Sequence, residues 1–162
     1  MSRGPLTLQF SIDSSRWAKW IKLFPDAVGH ALYEEGQDIL AASQKLVPVR
    51  TGALRNSGQV VMEQQGDTYQ VVIGYGGPAI GYAVKVHEDP NARHAPPTQW
   101  KFLEGPLLYA ASHGMDARIA SRARAILNGF GINASNAQAV AAGEDSAPMV
   151  VESRDSLDLG GA

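Results

Sequence analysis

The sequence predicts an α+β fold: an antiparallel sheet with two long helices packed on one face, plus an extended C-terminal tail. Three observations predict it. Residues 59–63 and 68–75 are rich in Val, Ile and Tyr and flank a short Gln65-Gly66-Asp67 turn, the pattern of a β-hairpin. Apolar residues recur at helical spacing over 25–46 and again over 106–127, and strands beside amphipathic helices specify a layered α+β domain. After residue 128 the composition turns to Ala, Asn, Ser and Gly, too polar and small to bury the surface that folding requires. The organisation that follows is one domain over 1–128 and an acidic tail over 129–162 that partners are expected to order.

Each element has its own warrant. Leu6, Leu8, Phe10 and Ile12 alternate with polar residues, so 6–12 reads as a strand with one apolar face. Asp13 or Ser14 caps a short helix in which Trp17, Trp20, Ile21 and Phe24 fall at i, i+3, i+4 and i+7, a stripe that reads as core packing. Pro25 suits the first turn of the next helix, where its missing donor costs nothing. Val28, Leu32, Ile39, Ala42 and Leu46 continue that helix up to a stop at Pro48. Glu35 lies on the same stripe, and a carboxylate on an apolar face calls for a partner arginine. Residues 89–99 contain three prolines without periodicity and read as an exposed loop. Gly105-Pro106 opens the last helix, with Leu107, Leu108, Ala111, Met115, Ile119, Ala123 and Ile126 on its apolar face and a stop at Asn128-Gly129.

Composition removes several classes of function. The chain has no cysteine, which excludes disulfides, thiolate nucleophiles and cysteine-ligated zinc. No run approaches the 18 apolar residues of a membrane span, and the first fifteen lack a signal-peptide layout, so a soluble protein made in a cytoplasm is expected. The net charge of −2 gives no overall attraction to nucleic acid. Its distribution is uneven: residues 1–128 hold 13 Lys/Arg against 11 Asp/Glu, whereas 129–162 hold Arg154 against Glu144, Asp145, Glu152, Asp155 and Asp158. The four histidines show no metal-ligand spacing, and the adjacent His87 and Glu88 are expected to point apart. No serine sits in a nucleophile elbow. The glycines at 74, 76, 77 and 81 lack the lysine and Ser/Thr of a phosphate loop. No cofactor, metal or catalytic constellation is expected.

The densest signal is Val47-Pro48-Val49-Arg50-Thr51-Gly52-Ala53-Leu54-Arg55-Asn56-Ser57, which joins helix to hairpin through Pro, Gly and a potential Thr cap. Tyr82-Ala83-Val84-Lys85-Val86-His87-Glu88 and then Trp100-Lys101-Phe102-Leu103-Glu104-Gly105-Pro106 follow it. In this order and spacing the set resembles the tailed-phage family of head-tail joining and tail-completion proteins of the lambdoid gene-product-ten type. The family pattern is a T-G-x-L-x-x-S element, here Thr51, Gly52, Leu54 and Ser57, then a Tyr-Ala element ending in Glu88, then an aromatic entry into the last helix. At that last element Trp100 and Phe102 stand in for the usual proline-aromatic step.

The resemblance implies a non-enzymatic structural protein of the virion neck, made in the bacterial host cytoplasm. Copies would form a ring that joins the head connector to the tail terminator or tail tube, with DNA passing through and not bound sequence-specifically, in a phage or in the phage-derived particles some bacteria make. The expected interface comprises Arg50, Thr51, Gly52, Leu54, Arg55 and Ser57, together with Met149, Val150 and Val151 of the tail, an apolar run able to dock as an added strand on a neighbour. Two other classes compete. One is a nucleic-acid-binding protein using Arg50, Arg55, Arg118, Arg122 and Arg124 as a patch. The other is a small hydrolase built on Glu35, Glu88 and the histidines.

Overall fold

The computed structural model describes residues 5–11, 25–66, 68–92, 94–129 and 150–153. The short helix expected around Trp17 and Trp20, and Met149 of the tail, lie outside them.

The expected α+β architecture is present. The hairpin forms as β2 (Gln59–Gln65) and β3 (Thr68–Tyr75), with Gly66 at the turn holding a φ of +58°, a conformation glycine adopts without a Cβ penalty. The N-terminal strand β1 (Leu6–Ser11) pairs antiparallel with the far side of β3, and a fourth strand, β4 (Val150–Ser153), pairs antiparallel with β1. The order across the sheet is β2-β3-β1-β4. Residues directly opposite share a face, so Leu8 with Ile73 and Leu6 with Tyr75 define one apolar side. Tyr69, Val71, Ile73 and Tyr75 of β3 are all buried there, whereas the alternate positions Thr68, Gln70 and Val72 are half-buried.

Helix α1 (Pro25–Gln44) lies on that apolar side. Val28, Leu32 and Ile39 are buried as their spacing predicts, together with Ala27, Ala31 and Leu40. Two glycines set how closely the helix approaches. A Cβ on Gly36 would stand 2.8 Å from Val71 Cγ1 and 2.9 Å from Val60 Cγ1, and one on Gly29 would stand 3.1 Å from Tyr69. Glycine in a helix interior costs about 1 kcal/mol relative to alanine, but here the missing methyl lets helix and sheet close. The valines that face Gly36 are β-branched and stiff. Gly36→Ala is therefore expected to destabilise the chain by about 1–2 kcal/mol, overpacking exceeding the helix-propensity gain. Adding Val60→Ala should recover part of the loss in urea titrations. An alanine variant at least as stable as the parent would show that the approach is not tight.

Between α1 and the hairpin the chain makes a one-turn helix, α2 (Ala53–Asn56), and beyond β3 another short helix, α3 (Ala83–Glu88). The last helical region departs from expectation. A single helix over 106–127 is instead two, α4 (Glu104–Ser112) and α5 (Met115–Gly129), separated by His113 and Gly114. Gly114 has a φ of +73°, the left-handed conformation that terminates helices. The Ser112 hydroxyl donates back to the Leu108 carbonyl at 2.9 Å, and Arg118 Nη1 donates to the His113 carbonyl at 2.5 Å, occupying an acceptor at the break. α5 lies along α1 and buries Met115, Ile119, Ala123 and Leu127.

Candidate functional site

Three segments far apart in sequence meet around one cleft of about 640 Å³. Its walls are Pro48 to Gly52 and Leu54, Tyr82 and Val86 of the α3 segment, and Ala95, Pro96 and Thr98 of the proline-containing loop. Two of the elements that carry the family resemblance, the Thr51-Gly52 turn and the Tyr82 segment, thus meet in space, with the proline loop as the third wall. Val49 and Tyr82 are exposed, giving the cleft an apolar rim beside the Arg50 guanidinium.

The turn that forms one wall is fixed from within the chain. Gly52 has a φ of +82°, a region that costs a non-glycine residue about 1–2 kcal/mol. Thr51 does not cap the helix as its position suggested, since Gly52 is the N-cap and no side chain caps it; Thr51 Oγ1 instead accepts the Ala53 N–H at 3.4 Å in a local turn. Leu54 is buried in the core. The Ser57 hydroxyl donates to the Leu54 carbonyl at 2.6 Å and accepts the Gly76 N–H at 3.0 Å, tying the turn to the end of β3. Nearby, the buried Tyr75 hydroxyl donates to Ser43 Oγ at 3.0 Å, and burial pushes its pKa up to about 12. Of the interface residues expected from sequence, Arg50, Thr51 and Arg55 are exposed, whereas Leu54 and Ser57 are used inside the subunit to hold the turn. Arg50 and Arg55 form no ion pair among the described residues.

Behind the cleft stands a polar network. His87 and Glu88 do not point apart as expected: the His87 Nδ1–Glu88 Oε1 distance is 2.7 Å. The short helix α3 ends at Glu88, and the carboxylate there can turn back to the imidazole. His87 Nε2 accepts the Glu104 N–H at 3.4 Å, so Nδ1 carries the proton and donates it to the carboxylate. Lys101 Nζ bridges Glu88 and Glu104 at 2.6 Å each. Burial raises the Glu88 pKa, but hydrogen bonds from Lys101 and His87 outweigh it and hold the carboxyl below its ordinary value. The His87 ring is 1% exposed and meets Phe102 edge-on at 4.9 Å. A histidine with both nitrogens engaged in the interior is a staple between α3 and α4.

Burial lowers the His87 pKa against the opposing pull of Glu88. A base whose folded pKa is depressed contributes stability that is full above its unfolded value, about 6.5, and lost as pH falls towards the folded one. The urea midpoint should therefore decline as pH falls from 7.5 to 5. His87→Asn should cost about 1–3 kcal/mol at pH 7.5, from the lost buried hydrogen bond, and should flatten the decline. An unchanged slope would exclude His87 as its source.

The remaining arginines lie elsewhere. Glu35, 1% exposed, accepts from Arg118 Nε at 3.1 Å and from Arg122 Nη1 at 2.7 Å, and Arg122 also pairs with Asp38. The partner arginine read from Glu35's place on the helix stripe is thus a pair of arginines from α5. Arg118, with Glu35 and Asp38, borders a second groove of about 690 Å³ between α1 and α4, lined by Ile39, Leu46, Pro106 and Tyr109. Arg118 and Arg122 are engaged by carboxylates there and do not line the cleft with Arg50.

Among the described residues no group of acidic and histidine side chains is arranged to hold a metal ion, and no helix is long and apolar enough to cross a membrane. Comparisons with protein-family models, with curated proteins and with solved structures find no match.

Proposed function

We propose that this protein is a structural component of the head-tail neck of a tailed phage or phage-derived particle, and that copies of it assemble as a ring joining head connector to tail. The observation that carries the reading is the convergence of the Thr51-Gly52 turn, Tyr82 with Val86, and the loop at Ala95, Pro96 and Thr98 on one cleft. A binding wall of this kind uses surface loops held by a rigid scaffold, and here the scaffold contacts of Leu54, Ser57 and His87 leave Arg50, Thr51 and Arg55 facing outward. Exposed cations beside an apolar rim suit the surface of a neighbouring subunit with acidic residues and an apolar anchor. Ring symmetry then multiplies contacts that are individually weak.

The engagement of Arg118 and Arg122 by Glu35 and Asp38 weighs against an arginine patch for nucleic acid. The enclosure of His87 weighs against a hydrolase that uses it as a base.

Arg55→Glu tests the reading. The side chain is exposed, so the subunit should keep its circular dichroism and its urea midpoint to within about 0.5 kcal/mol. Particles carrying the variant should accumulate as filled heads without tails in electron micrographs. Wild-type numbers of tailed particles would remove Arg55 from the assembly surface.

A further inference from the structure

The edge of β1 away from β3 is covered by only four residues, Val150–Ser153, in the register Leu8 opposite Ser153 through Ser11 opposite Val150. We propose that this edge is an exchange site, and that in the assembly it receives residues 150–153 of a second copy of this chain. The inference rests on the ring reading above for its setting and goes beyond it in naming the acceptor edge and the donor strand.

The pairing is antiparallel and runs through backbone groups, which are identical in every copy. Exchange would therefore recreate the same ladder on a neighbour with every hydrogen bond kept, the condition under which a swapped element costs little. The connection permits it. Twenty residues, 130–149, separate the end of α5 from β4, and a chain of that length spans at most about 70 Å, enough to reach an adjacent subunit. Two pairings then compete by local concentration. Closure within one chain corresponds to an effective concentration in the millimolar range. A dilute monomer accordingly keeps its own strand, whereas a ring holds the neighbour's β1 at a comparable concentration. Strand addition of this type takes affinity from main-chain hydrogen bonds and specificity from alternate side-chain positions.

The absence of cysteine makes the test clean. Gln9 and Glu152 are directly opposite in the ladder, and cross-strand Cα atoms at about 4.5–5.5 Å fall within disulfide range. A chain with both Gln9→Cys and Glu152→Cys should form the bond within itself at about 10 μM, which establishes the register. Two differently tagged chains, one with Gln9→Cys and the other with Glu152→Cys, are then mixed and oxidised across about 10 μM to 1 mM, the range that brackets the effective concentration of the tether. The expected result is a mixed-tag disulfide dimer that rises with concentration and exceeds, by about tenfold or more, the yield from Glu152→Cys mixed with Gln59→Cys on the opposite sheet edge. Mixed dimer at the control level throughout, or no bond in the doubly substituted chain, would overturn the proposal. The assay needs no particle, so its failure would leave the neck location to be decided by images of particles.

Discussion

Replacing both Arg118 and Arg122 with methionine should destabilise the chain by about 3–5 kcal/mol, a large share of the stability of a domain this size. The reason is an asymmetry of burial. Glu35 is 1% exposed, whereas the side chains of Arg118 and Arg122 are 41% and 25% exposed. Removing the cations strands a carboxylate in the interior. Removing the carboxylate leaves two cations that solvent can still reach, one of them with Asp38 as a remaining partner. Glu35→Met alone should therefore cost clearly less than the double arginine change, and adding it to that change should restore most of the loss. Urea titration of the four chains gives the comparison. Equal losses for Glu35→Met and the arginine pair would show that solvent already screens the site.

Phe102→Ala is expected to cost about 3–5 kcal/mol, the range for a fully buried aromatic truncated in a core. Phe102 is fully buried and meets Tyr75 edge-on at a centroid distance of 5.4 Å as well as His87, geometry that adds to simple burial. Its neighbours extend the effect to the cleft. The Lys101 N–H donates to the His87 carbonyl at 2.8 Å and the Gln99 N–H to the Leu46 carbonyl at 2.9 Å, so this turn holds the loop carrying Thr98 in place. Phe102→Leu should lose much less, because it retains most of the volume. If alanine and leucine prove equally mild, the ring is not a core element.

Much of this fold is legible in the sequence because its signals are local. The hairpin at 59–75 follows from alternation around a glycine turn, and α1 from a 3.6-residue stripe that starts at Pro25. Glu35 signals its need for arginine by its place on that stripe. The break at Gly114 is hidden because the apolar periodicity runs on both sides of it, from Leu107 to Ile126, and one glycine inside such a pattern is often tolerated. The helical form of residues 83–88 escapes sequence reading because six residues are too few to establish a period. The strand order is out of reach for another reason: β1 sits between β3 and β4 through pairings that span most of the chain, and no local pattern encodes them. The cleft is likewise a product of tertiary closure. Sequence marks Thr51-Gly52, Tyr82 and the proline loop as separate features, and only the folded chain brings them together. Leu54 and Ser57 show the limit of motif reading, since residues that define the pattern best serve the turn itself.

The central claim is that this chain occupies a ring between head and tail. Its most direct test is a cryo-electron microscopy reconstruction of intact tailed particles carrying the protein with a small tag inserted after Gly66, at the exposed hairpin turn. The account predicts ring-shaped density at the head-tail junction into which this α+β domain fits, with added tag density on each subunit and the cleft of Arg50 and Tyr82 facing an adjacent chain. Particles with complete necks in which the tag and the domain are absent from the junction would contradict it.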